Sequence, residues 1–215
     1  MRLALVAAVC LVAGCDLFSE VDPPSREPLA PATYAVTFEA TWSAETHPEA
    51  FPPDPHFSRL TGAAHTAEVS LWRLGAVASD GVRAMAETGS MAGLRAEVEA
   101  LGDAAAYVEG DPLRPSPGTA GATVTVTDAR PVATVVSMLA PSPDWFVGVD
   151  GLDLRDGDGW ADRVVVDAVV YDAGTDDGAG YTAPDAPRTD RAPIAAVAYA
   201  PLAGTVVGRL VFERQ

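Results

Sequence analysis

The stretch Tyr34-Ala-Val-Thr-Phe-Glu-Ala-Thr-Trp42 decides the fold class of this chain. Apolar side chains occupy every even position of the stretch, and small or polar side chains occupy the odd positions. Alternation with period two places successive side chains on opposite faces of a β-strand. Aromatic and β-branched residues favour a strand with one buried face. The sequence therefore predicts that the folded domain begins with β structure.

Similar strand signals recur along the rest of the chain, separated by turns rich in Gly and Pro. The predicted strands are 69–72, 123–127, 132–139, 145–149, 163–171, 194–200 and 206–212. Helices do not alternate with these strands, as they would in a fold built on a parallel sheet. The pattern predicts a mainly β protein, organised as an antiparallel β-sandwich.

Two short helices are predicted between the strands. Ser79 or Asp80 can cap the first helix, which runs to Gly89. Ser90 can cap the second helix, which ends at Gly102. The apolar face of the second helix consists of Leu94, Val98 and Leu101. Both helices are expected as insertions that decorate the sheet.

Residues 43–65 are predicted to be a long irregular loop. Prolines at positions 48, 52, 53 and 55 oppose regular strand pairing because proline lacks an N–H donor. Ordered loops of this length are uncommon and often carry function. We expect the aromatic side chains of Trp42, Phe51 and Phe57 to hold this loop against the domain.

The N-terminus has the features of an export signal. Met1-Arg2 precedes an apolar run from Leu3 to Val12, and small residues lead to Cys15. The run is shorter than the roughly 20 apolar residues needed to span a bilayer. The ending Leu-Val-Ala-Gly-Cys15 resembles the lipobox of bacterial lipoproteins, which predicts cleavage after residue 14 and lipidation of Cys15. An ordinary signal peptide with an incidental cysteine is the alternative.

Residues 15–32 are interpreted as a lipidated cysteine followed by an acidic, Pro-rich tether, and residues 33–215 as one domain. Cys10 leaves with the signal peptide, and Cys15 carries the lipid, so no thiol remains for a disulfide bond. The length of the domain is sufficient for a well-buried core without disulfide bonds.

The chain is strongly acidic, with 30 Asp and Glu against 14 basic residues and a formal charge of −16. Removal of Arg2 with the signal peptide would increase the acidic excess. Binding to nucleic acid phosphates requires a basic surface, so nucleic acid is excluded as a partner class. Cations are the natural ligands of such a surface.

Three carboxylates are predicted to converge. Asp144 precedes the strand 145–149, and Asp172 and Asp176 follow the strand 163–171. In an antiparallel pair, the start of one strand lies beside the end of its partner. Three carboxylates at one edge suit Ca²⁺, which takes six to eight oxygen ligands. The alternative is a set of ordinary turns, because Asp beside Gly is common in turns.

Other motifs give weaker signals. Arg155–Trp160 contains two aspartates but lacks the first and last ligands of an EF-hand, so it is interpreted as a polar turn. His47, His56 and His65 lack the spacing of zinc ligands and are expected to pack within loops.

No nucleophile or metalloprotease motif is present in the sequence. The adjacent Asp176 and Asp177 could serve a glycosidase, although a solvated turn is the more common explanation of such a pair. We therefore predict a protein that is not an enzyme.

Several tracts, taken in order, resemble the spondin domain of F-spondin and mindin. They include YAVTFEATWSAETHPEAFP, HFSRLTGAAH, PSPDWFVGVDGLDL and YDAGTDDG, and the similarity extends from about Tyr34 to the C-terminus. The resemblance implies a C2-like β-sandwich with one bound Ca²⁺. It also implies that the Asp of PSPDW and both Asp of DAGTD are the ligands, which are Asp144, Asp172 and Asp176 here. Arg155 lies in the stretch where animal members carry a Cys, and their adhesive partners are not carried over.

The sequence thus predicts a monomeric bacterial cell-envelope lipoprotein, facing the periplasm or the exterior. The membrane is contacted through the lipid on Cys15, and the domain is a calcium-binding module for adhesion or for an unidentified protein or glycan ligand. The alternatives are an envelope polysaccharide hydrolase and a purely structural envelope protein.

Overall fold

The alternation of the opening stretch appears directly in the first strand. In the computed structural model, which describes residues 27–202 and 204–215, strand β1 (Ala32–Ala40) alternates buried and half-buried side chains along its whole length. The predicted signal peptide, Cys15 and the tether up to residue 26 lie outside the described residues. At the start of the described chain, Leu29 packs against the main core, and the Trp160 indole donates to the Ala30 carbonyl oxygen (2.7 Å).

The remaining elements are mostly strands. They are β2 (His56–Phe57), β3 (Thr61–His65), β4 (Ala105–Glu109), β5 (Gly118–Val126), β6 (Val132–Ala140), β7 (Trp145–Asp153), β8 (Arg155–Asp156), β9 (Gly159–Trp160), β10 (Arg163–Asp172), β11 (Ala195–Ala196) and β12 (Val206–Arg214). Two α-helices, α1 (Asp80–Thr88) and α2 (Ala92–Glu99), and a 3₁₀ turn (Gly102–Ala104) lie between β3 and β4. None of the helices in the described part of the chain is long and apolar enough to cross a membrane.

Eight of the strands form an antiparallel sheet in the order β4-β3-β6-β7-β10-β12-β1-β5. Strand β2 pairs with β6 and β11 with β10, and β8 and β9 form a separate two-stranded sheet. The two outer strands of the eight come close together, because the N–H of Asp111, just after β4, donates to the carbonyl oxygen of Gly121 in β5 (2.7 Å). The sheet is therefore almost closed into a barrel or sandwich. The predictions of a mainly β fold, antiparallel pairing and two short helices are confirmed.

Two apolar clusters lie on opposite faces of this sheet. The main core lies inside the sandwich and includes Tyr34, Phe38 and Trp42. The second cluster lies between the helices and the outer face of β6 and β7, and it includes Met85 and Phe146. Strand β6 is buried at all nine positions because both of its faces are covered, which explains why its sequence is continuously apolar.

The helix ends agree only in part with the prediction. Ser79 caps α1 by accepting a hydrogen bond from the Val82 N–H (3.1 Å), and Gly89 ends it with a φ of 68°. The predicted cap of α2 is wrong, because Met91 occupies the N-cap position and makes no side-chain cap. Leu101 is 39% exposed, so the buried face of α2 ends at Val98.

The strand assignment also needs correction in three places. Residues 69–72 are irregular instead of a strand, with a bend at Leu71. The predicted strand 194–200 shortens to the two residues of β11. Residues 43–65, predicted to be irregular, contain β2 and the five-residue strand β3. Strand β3 has no apolar alternation because all five of its residues are buried, between β4 and β6. The remainder of this segment is held by aromatic contacts as predicted. The distance between ring centroids is 5.3 Å for Trp42 and Phe51, and 5.6 Å for Trp42 and Phe57.

Candidate functional site

The antiparallel pairing of β7 and β10 builds the predicted acidic edge. Trp145, the first residue of β7, pairs with Asp172, the last residue of β10. Asp144 therefore lies beside the loop that follows β10, and its carbonyl oxygen accepts from the Ala173 N–H (3.1 Å). The argument from strand ends thus places Asp144 correctly against the 172–176 loop.

Asp144 is the most unusual residue of this edge because its side chain is fully buried. Its Oδ2 accepts three hydrogen bonds, from the Thr175 N–H (2.7 Å), the Thr175 hydroxyl (3.2 Å) and the Asp176 N–H (3.1 Å). Its Oδ1 is also buried and has no hydrogen-bond partner among the described residues. Buried carboxylate oxygens are nearly always partnered, so this oxygen is an open acceptor.

The electrostatics of Asp144 are consistent with that geometry. Burial raises the pKa of Asp144 from 3.8 to about 6 and outweighs the lowering by the hydrogen bonds from Thr175 and Asp176. The negative charge of Asp172 raises the pKa further. The ionised form of Asp144 therefore lacks a compensating positive charge.

Each oxygen of the other two predicted carboxylates accepts one hydrogen bond, which leaves a second lone pair on every oxygen. Asp172 accepts from the Gly174 N–H (2.7 Å) and from the Tyr199 hydroxyl (2.8 Å). Asp176 accepts from the Gly178 N–H (2.7 Å) and the Ala186 N–H (2.7 Å). Each aspartate thereby fixes the backbone two residues further on, and Asp176 also joins the loop to a later segment. These contacts are typical of aspartates in turns, and the role of both residues as calcium ligands stays a prediction.

Tyr199 is a member of the site that the sequence did not indicate. Burial raises the pKa of its phenol, and the hydrogen bond to Asp172 raises it further, so the hydroxyl remains a proton donor. Tyr199 lies 27 residues beyond Asp172 and carries no motif of its own. Only the tertiary fold brings it to the acidic edge.

A surface cavity of about 340 Å³ opens at this edge, and Asp172, Asp176 and Tyr199 are among its lining residues. Arg188 also lines the cavity, but its guanidinium is paired with the carboxylate of Asp177. Asp177, considered above as half of an acidic pair, is therefore engaged in an ion pair at the surface.

The donor chemistry of the edge fits a hard cation, because all candidate ligands are oxygens and Asp144 Oδ1 is a buried oxygen without a partner. The convergence is less complete than predicted. In residues 27–202 and 204–215, no three His, Cys, Asp or Glu side chains are arranged as a metal-binding group. Asp144 lies next to Asp172 along the paired strands, because Trp145 pairs with Asp172. The Asp176 carboxylate instead binds the backbone at Gly178 and Ala186.

The remaining motifs have local roles. Arg155–Trp160 forms the β8–β9 hairpin, in agreement with the predicted turn. The three histidines lie apart and have separate partners. His47 contacts the Thr46 hydroxyl, His56 the Asp54 carbonyl oxygen and His65 the Thr134 hydroxyl, each at 2.8 Å. His56 belongs to strand β2 and His65 to strand β3, so the prediction of loop positions is wrong for these two residues.

The fold and this edge define an antiparallel β-sandwich module with an oxygen-rich acidic loop edge. Residues 32–201 match the family model Spondin_N, so the chain belongs to the spondin N-terminal domain family.

Curated relatives support the same assignment. The chain is similar to Spondin-2 of Homo sapiens, with 39% identity over 189 residues, covering 85% of this chain and 56% of the relative. It is similar to Spondin-2 of Rattus norvegicus, with 38% identity over 161 residues, 72% of this chain and 49% of the relative. Spondin-1 of Gallus gallus is 34% identical over 206 residues, 85% of this chain and 25% of the relative. The chain thus spans about half, or less, of the length of these relatives.

Proposed function

We propose that this protein is an extracytoplasmic binding module of the bacterial cell envelope, anchored by a lipid on Cys15 and braced by one Ca²⁺. Its role is adhesion or ligand binding, with a protein or glycan as partner. Membership of the spondin family supports the binding role. The N-terminal sequence supports export and lipidation.

The calcium proposal rests on the unpartnered Oδ1 of the fully buried Asp144. A buried carboxylate without a counter-charge is costly, and it either takes up a proton or binds a cation. Asp144, Asp172 and Asp176 would hold the ion, with backbone carbonyls or water completing the oxygen set. Bound Ca²⁺ would supply the positive charge that the ionised Asp144 lacks.

The protein's own contribution is to fix the loops at this edge. Asp144 connects the start of β7 to the backbone of Thr175 and Asp176. Asp172 holds Tyr199, and Asp176 holds the chain at Ala186. A binding surface with ordered loops loses less conformational entropy when a partner binds. We favour binding over hydrolysis because these carboxylates are engaged in loop ordering.

Calorimetric titration of Ca²⁺ into the EDTA-treated protein tests the calcium proposal, together with melting curves in both conditions. We expect saturable binding at one site and a higher Tm in Ca²⁺. Asp172→Asn should weaken binding and reduce the Tm gain. Asp158→Asn, in the exposed β8–β9 turn, removes the same charge and should leave both unchanged. No binding up to millimolar Ca²⁺, or equal effects of the two variants, would contradict the proposal.

Membrane fractionation tests the anchor. Cys15→Ser should move the protein from the membrane fraction to the soluble fraction and abolish incorporation of labelled fatty acid. Cys10→Ser is the matched control, because that residue lies in the segment expected to be removed. Retention of the label by Cys15→Ser would refute lipidation at this position.

A further inference from the structure

Strands β7 and β10 are neighbours in the sheet but pair only at one end. Residues 145–147 of β7 pair with residues 170–172 of β10. Beyond that point β7 continues to pair with β6 as far as Asp153, and β10 pairs with β12 as far back as Arg163. Among the described residues, no strand pairs with the β10-facing side of β7 from Gly148 to Asp153.

The separation of the two strands leaves a groove of about 440 Å³, within the size range of ligand sites. The six consecutive residues of β7 from Gly148 to Asp153 form one wall of the groove. Val166 of β10 and the loop residues 72–74 also line the groove. Irregularities in strand pairing lie at the opening. The β10–β12 register shifts between Asp167 and Val169, and the β6–β7 register shifts between Ala133 and Val135, opposite the open stretch of β7. Such bulges end pairing and are common beside binding sites.

The groove combines an open strand edge with apolar and polar side chains. Leu74 is 53% exposed, and Val166 and Leu152 are half-buried, so apolar side chains have a place to pack. The indole of Trp72, also part of the lining, has a buried N–H without a hydrogen-bond partner among the described residues. A carbonyl oxygen entering beside it would be a suitable acceptor.

The charge of the groove selects among possible occupants. Asp150 lies on the open stretch of β7. Burial raises the pKa of Asp150, and this effect is larger than the lowering of the pKa by Arg73 and His65. Asp150 lines the groove and is exposed, so its carboxylate is accessible to a basic group of a partner. A second copy of this chain would bring its own Asp150 to the same edge, and like charges on facing strands are destabilising. The segment 16–22 of this chain contains Asp16, Glu20 and Asp22 and is disfavoured for the same reason.

We propose that the β7 edge from Gly148 to Asp153 is a docking site for an extended peptide of a partner protein, bearing alternating aliphatic and basic side chains. The peptide adds as an antiparallel or parallel strand, with its backbone on the free side of β7. Its aliphatic side chains pack against Leu74 and Val166, and a basic side chain faces Asp150. This site goes beyond the proposed calcium edge and does not require it, because none of its lining residues is a proposed calcium ligand.

Fluorescence anisotropy tests the proposal, with the purified full chain and a labelled short peptide of alternating valine and lysine. A second peptide of equal charge carries proline in place of valine and cannot complete a hydrogen-bonded ladder. We expect saturable binding of the valine peptide in EDTA as well as in Ca²⁺, and at least tenfold weaker binding of the proline peptide. Hydrogen exchange at residues 148–153 should slow when the valine peptide binds.

Two protein variants and a control locate the site. Asp150→Asn should weaken binding about fivefold, as expected for one partly exposed charge pair. Leu74→Trp fills the groove from an exposed position and should abolish binding while leaving the Tm near that of the wild type. Asp158→Asn removes one charge outside the groove and should have no effect.

Several results would overturn the proposal. Equal binding of both peptides, or equal weakening by Asp150→Asn and Asp158→Asn, would reveal only attraction to an acidic surface. Binding that disappears in EDTA would assign the peptide to the calcium edge. Self-association of the wild-type chain that Leu74→Trp removes would identify a second copy as the occupant. If Ca²⁺ does not bind, the calcium proposal is refuted, but peptide binding in EDTA is still expected. The two proposals can therefore be refuted independently.

Discussion

Replacing Asp144 by Asn is the most informative single perturbation of this protein. The side-chain oxygen of Asn can replace Oδ2 and accept from the N–H groups of Thr175 and Asp176. The amide NH₂ then occupies the position of Oδ1, which has no described partner. The substitution therefore removes a buried charge and leaves a buried donor unpaired, and these two effects oppose each other.

The magnitudes decide the direction. The increase in the Asp144 pKa from 3.8 to about 6 corresponds to a destabilisation of about 3 kcal/mol by the ionised group at neutral pH. An unpaired buried donor costs about 1–3 kcal/mol. In EDTA at pH 7 we therefore expect the variant to be at least as stable as the wild type, and at most about 2 kcal/mol more stable. In Ca²⁺ the order should reverse, because ion binding stabilises only the wild type, by about 2.7 kcal/mol at one hundred times the Kd.

The same shift fixes the sign of the pH dependence. The unfolded chain loses the Asp144 proton near pH 3.8, whereas the folded protein retains it up to about pH 6. Between these values the unfolded state binds fewer protons, so the contribution of this group to the free energy of unfolding decreases as the pH rises. Below about pH 3.8 the contribution is absent. In EDTA the wild type should lose stability relative to Asp144→Asn between pH 4 and 6.

Urea denaturation in EDTA and in Ca²⁺, at several pH values between 4 and 7, measures these differences. Asp158→Asn serves as the control for loss of an exposed carboxylate. If Asp144→Asn is less stable than the wild type by more than about 1 kcal/mol in EDTA at pH 7, the buried charge is not destabilising and the reasoning is refuted. A stability difference that does not change with pH would refute the pKa argument itself.

Two further substitutions test the fold. A Cβ at Gly62 would lie 1.9 Å from a carbonyl oxygen of the neighbouring strand, so Gly62→Ala should destabilise the protein by about 3 kcal/mol or more in the same urea assay. Gly180→Ala is the control and should be nearly neutral, because a Cβ at Gly180 would have no atom within 4 Å. Ser79→Ala removes the cap of α1 and should cost about 1 kcal/mol, whereas Ser90→Ala should be neutral because Ser90 caps no helix. Equal effects within either pair would contradict the contacts described above.

The opening strand, the first helix and the neighbourhood of Asp144 and the loop after β10 were predictable. Each of these features depends on local chemistry. The alternation from Tyr34 to Trp42 reflects one buried face, and Ser79 and Gly89 mark helix ends by their side chains. The neighbourhood of Asp144 and Asp172 followed from antiparallel strand ends alone. In each case the determining residues lie close together in the chain or at the ends of recognisable strands.

Strand β3 was missed because both of its faces are buried, which removes the alternation that identifies a strand. Tyr199 could not be found because its contact with Asp172 joins segments that have no shared pattern.

The sequence by itself determined the fold class, the positions of most strands along the chain and the neighbourhood of Asp144 and the loop after β10. Only the tertiary structure decided that Asp144 Oδ1 has no hydrogen-bond partner in the described part of the chain, whereas Asp172 and Asp176 accept hydrogen bonds from their loops. It alone decided that β7 and β10 separate after Val147. The physical reason is that local periodicity reports which side of a strand is buried. The partner of a single atom, or of a strand edge, depends on how distant segments pack.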